Sequence, residues 1–583
     1  GQVFAVSGVN TISFAVVAGK TTKKGLLGFA VERIDPAGNE RFFTAGFKVF
    51  ESVIPHPDEK TQVSTFDHPV QSFVWDDFTA KPDHGYEYRF HPVKGTPKNL
   101  DRSASPLSIA VRTEPLVSDL EHDIFFNRGV ASSQAYQRRF GATPIPDLEP
   151  KKRVEALKWL SRDLGEAVLR FIDSCPTGDR LLCCFYEFGY EPVAKALKAA
   201  IVRGVDVQLV VDAKVNEHTD TEGFHESFPR VDNLATIAKA RIPDANVILR
   251  EARRSSIQHN KFMVRLAAGH DPTEVWTGST NISLGGVSGQ TNVGHWVRNR
   301  KVAAQFAAYW DLLASDPGGS EGDSAGVVRA KNKAFRTAVE TLSPVVDDLG
   351  TVAKGTTAVF SPRLGDDLLD SYAKLLDAGQ REARITLAFG ISPVFKDLLK
   401  DNTPMSQLVF MLLEKKDVPD PKSKTAFVKI NASNNVYKAW GSFIRDPVYQ
   451  WAAETNASLL ELNHHVSYIH SKFMLVDPLG ADPIVITGSA NFSSPSVKEN
   501  DENMIVVRGD RRVADIYLTE FNRLFNHYYF RSVTEDVARH DPRPDQPSLF
   551  LAETPDWQDK YAPGTFKAKR LQLYAGMTGF TRL

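Results

Sequence analysis

A seven-residue motif occurs twice in this chain, and that repetition constrains the fold more than any other feature. Gln258-His259-Asn260-Lys261-Phe262-Met263-Val264 in the first half is matched by Ile469-His470-Ser471-Lys472-Phe473-Met474-Leu475 in the second, with the histidines 211 residues apart. Each copy is trailed by Gly-Ser-x-Asn. Gly278-Ser279-Thr280-Asn281 begins 17 residues after its lysine, and Gly488-Ser489-Ala490-Asn491 begins 16 after its own. A chain that repeats a chemical pattern at such similar spacing is expected to fold one unit twice. Its 583 residues also exceed what one core ordinarily serves.

The surrounding pattern predicts an α/β class, with two pseudo-symmetric α/β halves in one chain preceded by a small all-β sandwich domain. Residues 1–115 hold short runs of β-branched and aromatic residues between turn signals. Trp75 and the alternating Tyr86, Tyr88 and Phe90 are suited to a sandwich core. A Pro-containing connector is expected over 116–150. In 151–314, Leu157, Leu160, Leu164, Val168 and Phe171 share one helical face. Apolar strands at Leu181–Phe188 and Val205–Val211 then alternate with the helix Pro192–Val202. A linker region is expected over 315–356, a second α/β half over 357–532 and a C-terminal extension over 533–583.

Residues two apart on a strand point to the same face, so each half presents an imidazole beside an ammonium. The hydroxyl and amide of Gly-Ser-x-Asn can hydrogen-bond an oxyanion, and glycine allows close backbone approach. Two such units facing each other would gather His259, Lys261, Ser279 and Asn281 with His470, Lys472, Ser489 and Asn491 around one pocket. Cations and neutral donors of that kind neutralise the nonbridging oxygens of a phosphate, with one imidazole on each side of phosphorus.

These motifs resemble the signature of the phospholipase D superfamily, His-x-Lys-x4-Asp followed by Gly-Ser-x-Asn, present twice, and the resemblance spans about 150 to 530. The Asp of the second copy is Asp477. In the first copy Leu266 stands in its place, with Asp271 further on. The resemblance implies phosphodiester cleavage by two-step displacement through a phosphohistidine. His259 is the expected nucleophile and His470 the general acid. Lys261, Lys472, Asn281 and Asn491 would hold the phosphoryl oxygens, Ser279 and Ser489 would be supporting donors, and Asp477 would support the second motif. No metal or other cofactor is implied. A third element follows each copy, Gln290-Thr291-Asn292-Val293 and Asn500-Asp501-Glu502-Asn503. By resemblance, Glu502 would orient His470, and Asn292 or Gln290 would orient His259; ordinary turn residues are the alternative. Residues 1–115, with the run Tyr86–Val93, resemble the fibronectin type III fold.

Composition narrows the partners. With 70 basic and 71 acidic residues the formal net charge is −1, which excludes a strongly basic histone-like binder and leaves room for a local basic groove. No apolar stretch is long enough to span a membrane. Gly1–Lys20 shows no signal peptide, although the chain does not begin with Met, so a leader removed upstream stays open. The 3 cysteines, two of them adjacent at Cys183 and Cys184, argue against a disulfide framework and for a reducing, cytoplasmic location. The lack of a membrane segment and of an evident secretion signal places a nucleic-acid substrate ahead of phospholipid, although the near-zero net charge weighs against it. The alternatives are a phospholipase D acting on phospholipid head groups, with peripheral membrane contact, and a catalytically inactive binding scaffold.

Four weaker candidates are set aside or left open. Ala18-Gly19-Lys20-Thr21-Thr22 lacks the earlier glycine of a phosphate loop, Phe14 standing there, and reads as an exposed turn. His464 and His465 fit no zinc spacing. Arg253 and Arg254 read as a solvated basic pair. Asp212 ends a strand, where it would line the cleft or cap a helix.

Overall fold

The duplication extends to every strand of two sheets. The computed structural model describes the chain except residues 47, 58–60, 130–132, 142, 345–347, 443–465, 541–549 and 577–583, and for 134 and 533–540 it describes the backbone alone. The first sheet comprises β1 (His122–Phe126), β2 (Arg180–Phe185), β3 (Asp206–Asp212), β4 (Val247–Arg250), β5 (Lys261–Ala267), β6 (Asp271–Gly278) and β7 (Val293–Val297). The second comprises β8 (Gly355–Ser361), β9 (Glu382–Leu387), β10 (Leu408–Leu413), β11 (Val436–Trp440), β12 (Phe473–Val476), β13 (Ile484–Gly488) and β14 (Glu502–Arg508). Their orders are β1-β7-β6-β5-β2-β3-β4 and β8-β14-β13-β12-β9-β10-β11, the same path displaced by seven strands. In each, three strands run parallel and the motif strand joins them antiparallel.

Alternation along the strands builds three layers of core. Phe262 and Val264 of β5 and Phe473 and Leu475 of β12 face a shared interior, together with Phe306 and Trp310 of the helix Arg300–Ala314 and Tyr517 and Phe521 of the helix Arg511–His540. Met263 faces the other way, onto the helices Leu164–Asp173 and Glu191–Val202. Met474 and Val476 likewise face the helix Asp367–Asp377. Successive strand residues must point to opposite faces, so a sheet covered on both sides reads as a nearly continuous apolar run. Each fully buried Phe or Leu contributes about 1.5–3 kcal/mol.

The N-terminal region is all-β as expected. A sheet of Gln2–Ser7, Ile12–Val17 and Val74–Asp77 faces one built on Gly28–Asp35, Gly85–Thr96 and Leu107–Arg112. Tyr86, Tyr88 and Phe90 are buried between them, with Trp75 at the margin. The C-terminal segment folds back onto this domain, where Trp557 is buried against Phe73 and its Nε1 donates to the Leu26 carbonyl at 2.9 Å.

Three local expectations change. The helical face running from Leu157 to Phe171 belongs to two helices, Pro150–Ser161 and Leu164–Asp173, because Arg162 and Asp163 take positive φ and break the axis. The stretch 116–150 contributes β1, an edge strand of the first sheet. The stretch 315–356 contains the helix Ala325–Leu342 and the start of β8. Among the described residues, no helix is long and apolar enough to cross a membrane. Cys175, Cys183 and Cys184 are buried and free.

Candidate active site

The two halves meet through their motifs. Just before β5, Gln258 bridges Asp501, and the His259 N–H donates to the Asp501 carbonyl at 2.9 Å. Just before β12, Ile469 bridges Thr291, and the Thr291 N–H donates to the Tyr468 carbonyl at 2.9 Å. Each histidine is therefore stitched to the third element of the opposite half. Both imidazoles, with Asn281 and Asn491, line one cavity of about 980 Å³.

This crossing reverses the expected pairing. His259 Nδ1 lies 2.9 and 3.0 Å from the two carboxylate oxygens of Glu502. His470 Nδ1 lies 2.9 Å from Asn292 Oδ1. Glu502 thus orients His259, not His470, and Asn292 orients His470, not His259. Gln290 lines the cavity and orients neither. The physical reason is the interface itself, which sets each motif strand against the neighbouring half's third element.

The motif serines complete two matching chains. Ser279 Oγ donates to Asn292 Oδ1 at 2.9 Å, and Ser489 Oγ donates to Glu502 Oε2 at 2.5 Å. Expected as supporting donors, they donate to the groups that hold the histidines. Asn292 Nδ2 donates to the Gly286 carbonyl, so its oxygen must accept from His470, whose Nδ1 keeps its hydrogen. The motif glycines serve strand packing rather than ligand approach. A Cβ on Gly278, at φ +132°, would come within 2.3 Å of the Val293 carbonyl.

Lys261 and Lys472 lie buried behind the histidines, each Nζ reaching the carbonyl of its own histidine, at 2.5 and 2.7 Å. Burial pulls Lys261 down to about 8 and pushes Lys472 well below its ordinary value, aided by its neighbour Lys261. Both imidazoles are held well below their usual range, by burial first and then by the two ammoniums. Burial raises the Glu502 carboxyl to about 7, against the opposing pull of Lys261. Asn281 Oδ1 and Asn491 Oδ1 are buried without a partner. The two buried lysines favour an anion in the cavity, whereas the unpaired amide oxygens call for a hydrogen-bond donor.

Sequence reasoning singled out Asp212 without its role and missed Glu414, Glu187 and Tyr186. Asp212 Oδ2 accepts the Gln258 N–H at 2.8 Å, and Glu414 Oε2 accepts the Ile469 N–H at 2.7 Å. These acids directly follow equivalent strand residues, Val211 and Leu413. Asp212 therefore holds the backbone beside His259 rather than capping a helix. The signal was present in both halves, as an acid ending an apolar strand. Glu187 Oε1 accepts from Asn281 Nδ2 at 2.7 Å, and the Tyr186 ring stands edge-on to His259.

Other expected residues lie elsewhere. Asp477 sits at the far end of β12, where it accepts the N–H groups of Gln380, Arg381 and Glu382. Arg253 is not solvated: it is buried and pairs with Asp501 at 2.9 Å, beside Arg250 at 3.0 Å. Arg254 is exposed as expected. Lys20–Lys23 forms one exposed helical turn. His464 and His465 fall outside the described residues.

Residues 168–313 and 422–525 match the family described as cardiolipin synthase, phospholipase D-like domain. No curated protein matches the chain. Among solved structures, it is similar to the phosphatidylserine synthase of Haemophilus influenzae Rd KW20, at 11% identity over 65% of this chain and 91% of that one, TM-score 0.40. It is similar to Nuc from Salmonella typhimurium, a phospholipase D family member, at 28% identity over 26% and 87%, TM-score 0.20. The yeast tyrosyl-DNA phosphodiesterase is similar at 13% identity over 59% and 85%, TM-score 0.28. With both motif copies, two sheets of one strand order and a family match in each half, residues 168–313 and 422–525 are identified as phospholipase D-like regions, one in each half of the chain.

Proposed function

We propose that this enzyme cleaves a phosphodiester through a phosphohistidine on His259, with His470 as general acid and then general base. The observation that carries the reading is the crossed pair of supports, Glu502 on His259 and Asn292 on His470, at the wall of one cavity. Attack by Nε2 leaves a phosphorylated imidazole that carries positive charge for the lifetime of the intermediate. A carboxylate on Nδ1 offsets that charge, as a buried acid does for the base of a catalytic triad. His470 is charged only in passing, and a neutral amide that fixes its tautomer suffices. Its depressed affinity for a proton rises when the substrate's anionic phosphate enters. Lys261, Lys472, Asn281 and Asn491 balance the phosphoryl oxygens. None of these steps calls on a metal.

The cavity wall favours a phospholipid over the nucleic acid expected from the sequence. Its described lining includes no lysine or arginine, whereas a strand-binding groove tracks phosphates with cations. Its apolar lining includes Phe228, Leu284, Phe389 and Val466, and Phe389 is 63% exposed. Phe389 is the pseudo-symmetric counterpart of Glu187, since Phe185 and Leu387 occupy equivalent strand ends. One side of the cavity thus offers a carboxylate to a polar head group, and the other an aromatic face to acyl chains. The test sets phosphatidylcholine and phosphatidylglycerol vesicles beside single- and double-stranded DNA. Head-group release without DNA cleavage is expected. DNA cleavage without lipid turnover overturns the substrate assignment. Well-folded protein that turns over neither and forms no phosphoenzyme overturns the reaction.

A further inference from the structure

The loop that leaves β3 carries a second cluster, apart from the catalytic histidines. His218–Asp220 and Gly223–His225 form a short antiparallel hairpin with His218 opposite His225. Residues two apart on a strand share a face, and so do directly opposed residues. His218, Asp220 and His225 therefore project from one side, while Thr219 and Phe224 take the other. The imidazoles stack with centroids 4.8 Å apart, and Asp220 Oδ1 lies 2.9 Å from His225 Nε2. One ligating atom from each of the three lies within 4.8 Å of the others.

Two further observations point to a cation. His218 Nδ1 lies 3.1 Å from the Asn216 carbonyl, which can only accept, so Nδ1 keeps its hydrogen and the Nε2 lone pair is left for a ligand. Residues 215–227 also contain Glu217, Asp220, Glu222 and Glu226 and no lysine or arginine. We propose that His218, Asp220 and His225 bind one divalent ion of the zinc type, which fastens this hairpin beside the active-site cavity.

Two imidazoles and a carboxylate suit zinc, with water as a fourth ligand, whereas calcium and magnesium favour all-oxygen sets. Ligands about 2.0–2.1 Å from a tetrahedral ion stand about 3.3 Å apart, so exposed side chains need only modest rotation to close on it. A two-stranded hairpin is marginal by itself. This one is tied at its base, where Asn216 donates to Ser227 Oγ and to the Phe228 carbonyl, and Phe228 and Pro229 line the cavity. The ion would set the position of the hairpin and of Phe224, which is 63% exposed.

The test strips the full chain with EDTA and titrates it with zinc chloride by calorimetry, beside the double variant His218→Ala/His225→Ala. The parent is expected to bind one more equivalent than the variant, or to bind it at least tenfold tighter. Cobalt should give a tetrahedral visible spectrum in the parent alone, and zinc should protect residues 215–227 from proteolysis. Equal binding by both proteins, or no uptake by the parent, overturns the site. Phosphoenzyme formation should persist in the stripped protein and in the double variant, so the fate of the proposed reaction is read separately.

Discussion

Replacing Glu502 with Gln tests the electrostatic core of the mechanism. The shape of the site can survive the change. The Gln oxygen can still accept from His259 Nδ1, its amide can donate to Ser489 Oγ, and that hydroxyl can turn to the Asn503 carbonyl, 3.3 Å away. What is lost is the charge facing an imidazolium. With charge centres about 4 Å apart and an effective dielectric of about 20, that interaction is worth about 4 kcal/mol. At 1.36 kcal/mol per decade, kcat/KM should fall roughly 10³-fold. The pH profile gives a second readout. Burial raises the Glu502 carboxyl to about 7, so the ionised form is present above that pH and is lost as pH falls through it. Parent activity should drop on the acid side with an apparent pKa of about 7 that belongs to the Glu502–His259 pair. His259 is itself held well below its usual range, so it does not produce that limb alone. The Gln variant should lack it. Steady-state assays on a soluble p-nitrophenyl phosphodiester from pH 5 to 9 measure both effects. A loss below about fivefold, or an unchanged acid limb in folded variant protein, would refute the reasoning.

With the same substrate, His470→Asn should accumulate a phosphoenzyme on rapid quench, because p-nitrophenolate leaves without an acid, while His259→Asn should show no adduct by intact-protein mass spectrometry. An adduct on His470 in the latter would exchange the two roles. Asp501→Asn removes the carboxylate shared by buried Arg250 and Arg253 and should cost about 3–5 kcal/mol, seen as earlier denaturant unfolding. An unchanged unfolding midpoint would contradict it. Asp477→Ala removes the acceptor of three backbone N–H groups far from the cavity. It should lower stability by about 2 kcal/mol and leave kcat/KM within twofold, and a large loss of activity at unchanged stability would place Asp477 in the site after all.

The parts of this molecule that were readable from sequence are those set by local periodicity. Leu408–Leu413 reads as a strand because a run of six apolar residues between two covered faces has no other use, and the strand has those bounds. His259 and Lys261, or His470 and Lys472, could be paired because a strand imposes their common side. The break between Leu160 and Leu164 was not readable. It depends on Arg162 adopting φ +37° while its guanidinium donates to the Phe126 carbonyl and to Glu520, from distant parts of the chain. Arg253 was misread for the same reason, since its partner Asp501 lies 248 residues away.

The support of each histidine is the sharpest case. Glu502 follows His470 by 32 residues and lies in the same half, so sequence proximity couples them. The interface couples Glu502 to His259 instead. A sequence specifies which residue types the half-site needs but not which half completes it, because the crossing is made by backbone bridges at Gln258 and Ile469 that carry no side-chain signature. The consequence is functional. Neither half holds a complete imidazole–support pair on its own: Ser279 acts through Asn292 on His470, and Ser489 acts through Glu502 on His259. The supports are completed only across the interface, and the two copies differ within them, at Asn292 against Glu502. They also differ at Leu266 against Asp477 and at Glu187 against Phe389, positions that touch neither chain of support.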